Sequence, residues 1–537
     1  MLARIQDLNL SYSKIRSIFW LILFAVIAAA CTATAPSSPA ATPGTTATEL
    51  PAKSESTGPS SAIPQPTDPP RAFVLKVPAE WSQAAAEAIK QANAGDHPWT
   101  WQLDVGQPLP QDLQDGWADA VLIEAAEGTL VGRRPIALAV PFSSHWEDIA
   151  LQQAQDLLDG GSEFVEVMDW ADMQPWLKSI TVDGHHPSDE EYPLQRSLSI
   201  VSSAQAQPAL IDLLPALKGF IEHDPHIRLA AVGDLMLART VGEMLEAGDL
   251  EYPFENVAVQ LQEADITIGN LESALGTGGA PEDKGYTFRA PPQAAPALAS
   301  AGFDLLSLAN NHAMDYGHGL LVEAIAALEE HGIATVGAGE NDLAAHRPYL
   351  MTKDDLKIAI LSFVDVPQEF RGFDTQSWQA SGTRPGVAWA DPERMRLEIE
   401  HARMQADLVI VLLHSGYEYV SQPSPPQIAA ARAAIEAGAD LVLGHHAHVL
   451  QPVEFHPLGV IVYGLGNFVF EDAGPPESAL LQVWLDEDGV RELQFIPVRL
   501  DSAGIPVPAS REEAQTTLNN IHSYSNSWRS QTPTQSP

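Results

Sequence analysis

DLVIVLLHSGYEY (407–419) and DLVLGHHAH (440–448) each carry a short apolar run that stops at histidine. FDLLSLANNH (303–312) does the same and ends on an asparagine–histidine pair. IRLAAVGD (227–234) and ADITIGNLE (264–272) repeat the pattern with acidic ends. Every run is rich in leucine or β-branched residues and has Gly or Asn at or near its end. That combination predicts a buried parallel strand rather than a helix. Ligands of open α/β sheets sit outside the carboxyl ends of the strands. Asp234, Asn270, Glu272, Asn311, His312, His414, His446 and His448 are therefore expected to converge at one edge of one sheet.

Helical stretches between the runs include 319–330, 392–405 and 426–437, so strand and helix alternate as in βαβ crossovers. An α/β domain is expected over residues 226–502. A smaller α/β domain is expected over 71–225, with strands at 73–78, 100–105, 118–125 and 135–141 and helices at 80–93 and 147–158. His185 and His186 fall there in a polar stretch near Asp183 and Asp189, and read as a solvated loop. Residues 503–537 read as a short helix (511–522) followed by a polar, disordered tail.

At the N-terminus, Arg4, Lys14 and Arg16 precede an uncharged apolar run over 18–30. The run is too short for a comfortable membrane span but has the length of a signal-peptide core. Ile27-Ala28-Ala29-Ala30-Cys31 resembles a bacterial lipobox, and Cys31 is the only cysteine in the chain. Residues 1–31 are thus expected to be a lipoprotein signal peptide whose Cys31 becomes lipidated. An ordinary secretory signal with a cysteine near its cleavage point is the alternative. Acyl chains on Cys31 would hold the protein at a cell membrane, outside the cytoplasm. Residues 32–70, mostly Thr, Ala, Pro and Ser, would form a disordered tether with a reach of about 35 Å.

A chain of 537 residues exceeds one core and should divide into domains. Acidic residues outnumber basic ones 70 to 29, for a formal charge of −41. Such a surface disfavours nucleic acid and attracts cations. A polyanionic substrate would be repelled too, unless bound metal or a local basic patch offset the field. With one cysteine no internal disulfide forms, and a thiolate metal site is disfavoured.

Taken singly, the strand-end residues have ordinary explanations. Asp234 can be a turn former or helix cap, His414 a hydrogen-bonded core histidine, and Asn311-His312 part of an Asn-rich turn. Together they match a donor set. A carboxylate such as Glu272 can bridge two cations through separate oxygens. Asn311 offers a carbonyl oxygen and His312 an imidazole for proton transfer. His446 and His448 have the His-x-His spacing, which in extended backbone points both rings one way. Oxygen and imidazole donors without thiolate suit a pair of divalent ions such as Mn, Zn, Fe or Mg. Two such ions can activate water for attack at phosphorus or a carbonyl.

GDLM, GNLE, YTFRAP (286–291), LANNHAMDYG (308–317), HSGYEY (414–419), GHHAHVLQP (444–452) and YGLGNFVF (463–470) resemble, in this order, the CapA/PgsA family of poly-γ-glutamate capsule synthesis proteins. The resemblance implies a metallophosphatase-like layered α/β sandwich, similar to the calcineurin-like phosphoesterases, in an outward-facing, membrane-anchored protein. By the same resemblance Asp234, Asn270, Glu272, Asn311, His414, His446 and His448 would be metal ligands and His312 the general acid. Met236 stands where the phosphoesterases have a histidine ligand. Glu418 would be the outer partner of a histidine, and Arg289, Asn467 and Phe468 substrate-pocket residues. Two stretches of the 71–225 segment, RRPIALAVPFSSHWEDIALQQAQDLL and EEYPLQRSLSIV, resemble periplasmic solute-binding proteins and imply a degenerate binding module. The implied function is synthesis, export or anchoring of poly-γ-glutamate or a related envelope polymer, alongside membrane subunits of capsule synthesis. A metal-dependent phosphoesterase unrelated to capsule, and a non-catalytic polymer-binding scaffold, are the alternatives.

Overall fold

Leu408, Ile410 and Leu412 face one apolar cluster, while Val409, Val411 and Leu413 face another. This is the alternation of a strand buried on both sides, and it explains why the run shows no polar residue until His414. The computed structural model describes residues 71–531, except Asp96, Asp472 and Ala473. The segments expected to form a signal peptide and a tether, with Cys31, lie outside the described residues. Among the described residues no helix is long and apolar enough to cross a membrane.

The five runs all form strands: Ile227–Leu235, Ile266–Leu271, Leu305–Ser307, Leu408–Ser415 and Leu441–His445. They belong to two sheets, which corrects the expectation of a single sheet edge. The first three pair in parallel within an eight-stranded sheet. Leu408–Ser415 and Leu441–His445 pair in parallel with each other in a six-stranded sheet, beside Leu356–Asp365. Leu229, Ile268 and Leu305 of one sheet meet Ile358, Ile410 and Leu443 of the other in a shared core. Each such side chain contributes about 1.5–3 kcal/mol by leaving water. On its other face the first sheet packs Val241, Leu298 and Leu321 from its helices. The second sheet packs Ile399, Ala431 and Ile435. Apolar runs buried on both faces look alike in sequence, so their assignment to separate sheets could not be read there.

Helix boundaries follow local chemistry. Ser424 and Gln427 form a capping box around Pro425, and the helix runs Pro425–Ala437 until Gly438 turns left-handed at φ 117°. Asp391 caps Pro392–Arg403 by accepting from Arg394 N. The C-terminal helix is longer than expected, Arg511–Gln531 rather than 511–522. Its added turns are tied down: Ser525 Oγ accepts from Val453 N, and Trp528 Nε1 donates to Glu454 Oε2.

The chain divides into two compact units. In the first, Arg71–Val77 pairs in parallel with Trp99–Val105 and Ala120–Glu124, and Gln195–Ser202 pairs antiparallel to the last. Helices Ser82–Ala92 and Leu210–Glu222 bury Ala85, Ile89, Leu213 and Leu217 in its core. Residues 135–195, expected to lie in this domain, instead group with residues 224 onward. A buried carboxylate is one tie between these segments. Glu492 is 0% exposed and accepts from Ser179 N, Ser179 Oγ and Trp170 Nε1. Burial pushes its pKa up, but the nearby His186 and these donors outweigh that and hold it below the usual range. His186 is not solvated as expected: it is buried and stacks on Trp484, with ring centroids 4.0 Å apart.

Candidate metal centre

Gly233 sets the position of Asp234. A Cβ there would collide with the Gly466 carbonyl, which accepts from Asp234 N at 2.9 Å. Asp234 Oδ1 accepts from Asn270 Nδ2 at 2.8 Å. Its Oδ2 accepts from His446 N at 3.2 Å and lies 3.2 Å from His448 Nδ1. Asn270 Oδ1 accepts from Asn310 Nδ2 at 3.0 Å, which fixes the orientation of the Asn270 amide. From the opposite sheet, His414 Nε2 lies 2.7 Å from Asn311 Oδ1 and 3.7 Å from Glu272 Oε1. Glu272 Oε1 is also 3.8 Å from His448 Nε2.

Ligand atoms of Asp234, Glu272 and His414 lie within 4.8 Å of one another, as do those of Glu272, His446 and His448. Glu272 belongs to both groups. It is 0% exposed, and among the described residues neither of its oxygens has a hydrogen-bond partner. His446 Nδ1 is also buried and unpartnered. Buried polar atoms rarely stay unsatisfied, and here they are acceptors facing one another. Carboxylate oxygens and imidazole nitrogens fit a divalent cation, so the cluster could hold a metal. His446 and His448 do not converge through extended backbone, as their spacing suggested. Both lie past the strand end in left-handed conformation, at φ 83° and 56°. Such strain persists only where surrounding structure enforces it.

Burial is the largest influence on Asp234, Glu272, His414, His446 and His448. It pushes Glu272 well up, and the Asp234 carboxylate beside it adds to the shift. It pulls His414 well down and takes His446 down to about 3, with neighbouring histidines adding to both effects. At Asp234 burial is outweighed by the His448 hydrogen bond and histidine charges, so that carboxyl is held low. His448 is raised because Asp234 outweighs its burial.

Beside this cluster lies a second buried group that sequence reasoning missed. Lys284 Nζ donates to Asn311 O, Asp315 Oδ1 and Glu369 Oε1 at 2.6, 2.7 and 2.7 Å. Asp315 Oδ2 lies 2.7 Å from His312 Nδ1, so it orients that ring. Glu369 Oε1 accepts from Asn311 Nδ2 at 2.7 Å. A carboxylate can only accept, so the amide nitrogen faces Glu369 and Oδ1 faces His414. Lys284 lies in a loop without an adjoining apolar run, and Glu369 in the loop after Leu356–Asp365, so neither ends an apolar run. Asp315 had a signal, three residues after His312 in NNHAMD.

Other expected residues fall elsewhere. Arg289 is exposed, donates to the Thr277 and Gly278 carbonyls, and stacks over Tyr316. Phe468 is a core residue, 0% exposed in the cluster with Leu235 and Leu271. Phe470 packs against the cluster, its ring 4.9 Å from His448. Asn467 lies behind His448, with Oδ1 2.8 Å from Nδ1, and orients the ring. Glu418 is exposed and has no hydrogen bond to a histidine, so it acts only through its charge. Met236, at the place of a missing histidine, packs with Phe288 and Phe470.

Residues 228–472 match the model of the family described as bacterial capsule synthesis protein PGA_cap. The chain is 33% identical over 294 residues to the capsule biosynthesis protein CapA of Bacillus anthracis, covering 53% of this chain and 70% of that one. It is also 33% identical over 294 residues to the PGA biosynthesis protein CapA of Bacillus subtilis (strain 168), covering 54% and 75%. A solved phosphatase from Mycoplasma pneumoniae aligns at 14% identity over 55% of this chain and 99% of that one, with a TM-score of 0.34, too loose to bear on function.

Proposed function

The chain belongs to the bacterial capsule synthesis family of CapA proteins, and from that membership we propose that it acts in synthesis, export or anchoring of poly-γ-glutamate or a related anionic envelope polymer. In this reading its two-sheet unit is a metallophosphatase-like sandwich. Cys31 carries a lipid anchor that places the unit at the outer side of a membrane, beside membrane subunits of capsule synthesis. The observation that carries the reading is the unsatisfied Glu272 carboxylate between His414 and His448.

Asp234, Glu272, His414, His446 and His448 would hold a divalent pair, with Glu272 common to both positions. When bound, such ions supply Lewis-acid polarisation of a carboxyl, amide or phosphoryl oxygen and local positive potential in an acidic protein. Asn270 and Asn467 keep Asp234 and His448 turned toward that position. Asp315 holds His312 Nδ1, leaving Nε2 to give a proton to a leaving group.

A Bacillus subtilis strain lacking its own CapA tests the function. This chain is expected to restore surface γ-linked glutamate polymer, and a combined Asp234→Ala, His446→Ala variant is not. Full restoration by that variant would replace the metal reading with a scaffold role.

A further inference from the structure

Lys178 is 1% exposed, yet among the described residues no hydrogen bond or ion pair engages its ammonium. Its neighbour Ser179 spends its N–H and hydroxyl on Glu492, so that carboxylate is satisfied by other donors. Lys178 instead lines a cavity of about 950 Å³ that shares no residue with the candidate metal centre. We propose that this cavity binds a short stretch of an amide-linked polycarboxylate chain, with Lys178 receiving one carboxylate. The site itself follows from the cavity, and the identity of the chain as poly-γ-glutamate rests on the capsule reading above.

Three features fit that chemistry. The first is charge: an unpaired buried ammonium is costly, and an arriving carboxylate removes the deficit. Burial pulls Lys178 below the ordinary lysine range, with Glu147 and Glu492 opposing, which agrees with an ammonium short of partners. Arg511, at the start of the C-terminal helix, adds a second cation to the lining. The second feature is amide recognition. Gln153, Gln494 and Gln515 line the cavity, and each side chain both donates and accepts as a backbone amide does. The third is apolar wall, supplied by Phe495 and Leu518, against which methylene pairs can pack.

Two acidic residues also line the cavity and must be accommodated. Asp148 Oδ1 is engaged by Thr181 Oγ1 and Gly184 N at 2.8 Å each. Glu147 is exposed. It would repel densely charged chains and tolerate one whose carboxylates are separated by amide and methylene groups. In a protein of formal charge −41, this pairing of Lys178 and Arg511 supplies the local basic patch a polyanion requires.

Calorimetric titration of the full chain with a γ-linked glutamate oligomer tests the proposal. Wild type is expected to bind, and Lys178→Met to bind about tenfold or more weakly while keeping the wild-type metal content and melting temperature. Arg511→Ala, on an exposed position, should show a smaller loss. Equal binding by Lys178→Met, no binding by wild type, or binding abolished by Asp234→Ala with His446→Ala, would each overturn it. Complementation succeeding alongside unchanged Lys178→Met binding sinks this site and leaves the capsule function intact. Failed complementation alongside Lys178-dependent binding leaves a carboxylate site and removes the capsule function.

Discussion

Glu272→Ala protein is expected to bind divalent metal more than about 100-fold more weakly than the parent chain. Loss of an outer partner of a ligand alone typically costs about 10–100-fold, and Glu272 belongs to both donor groups. Competition with a fluorescent chelator measures the difference. Glu272→Gln should act in opposite senses on affinity and stability. It removes a carboxylate whose two oxygens are buried without partners, so metal-free Glu272→Gln should be more stable to urea than metal-free wild type. The sign with pH follows from the raised Glu272 pKa. Between the unfolded value of 4.5 and its higher folded value, the folded metal-free chain holds a proton that the unfolded chain has lost. Stability of the metal-free protein therefore falls as pH rises through that window, and Glu272→Gln should flatten the slope. Metal uptake must release that proton, so affinity should rise with pH. An unchanged pH slope in Glu272→Gln would show that another group carries it.

Lys284→Met should destabilise the protein by about 3–5 kcal/mol, the usual cost of removing one partner from a buried ion pair. Here the loss leaves both Asp315 and Glu369 without their cation. The lysine side chain is 0% exposed, so water cannot compensate. Two functional consequences follow from geometry. Glu369 loses the charge that holds it against Asn311, so the amide is free to flip its oxygen away from His414. Asp315 loses the cation that fixes its carboxylate, so its hold on the His312 ring should loosen. Urea unfolding gives the loss of stability, and a crystal structure of the variant shows whether the Asn311 amide and the His312 ring have turned. A destabilisation under about 1 kcal/mol would mean that the cluster is wet and loosely held.

The parts of the fold carried by local pattern were legible in sequence. All five apolar runs are strands, and capping residues such as Ser424 and Asp391 mark where helices begin. The gathering of Asp234, Glu272, His414, His446 and His448 was legible because each residue terminates such a run. What failed depended on tertiary context. The sorting of runs into two sheets left no trace, because Leu408–Leu413 is apolar on both faces. The grouping of residues 135–195 with residues 224 onward left no trace in sequence, because the partner of Ser179 and Trp170 is Glu492, some 300 positions away. Phe468 and Phe470 could not be told apart by spacing, since the strand ends at Val469 between them. Lys284 and Glu369 have meaning only as each other's neighbours.

The central claim is that Asp234, Glu272, His414, His446 and His448 together hold divalent metal. Elemental analysis of the purified chain, before and after His446→Ala, tests it most directly. Wild type should carry about two divalent ions per chain, and the variant should lose at least one of them. Wild-type protein purified in metal-replete buffer that carries no stoichiometric metal would contradict the account.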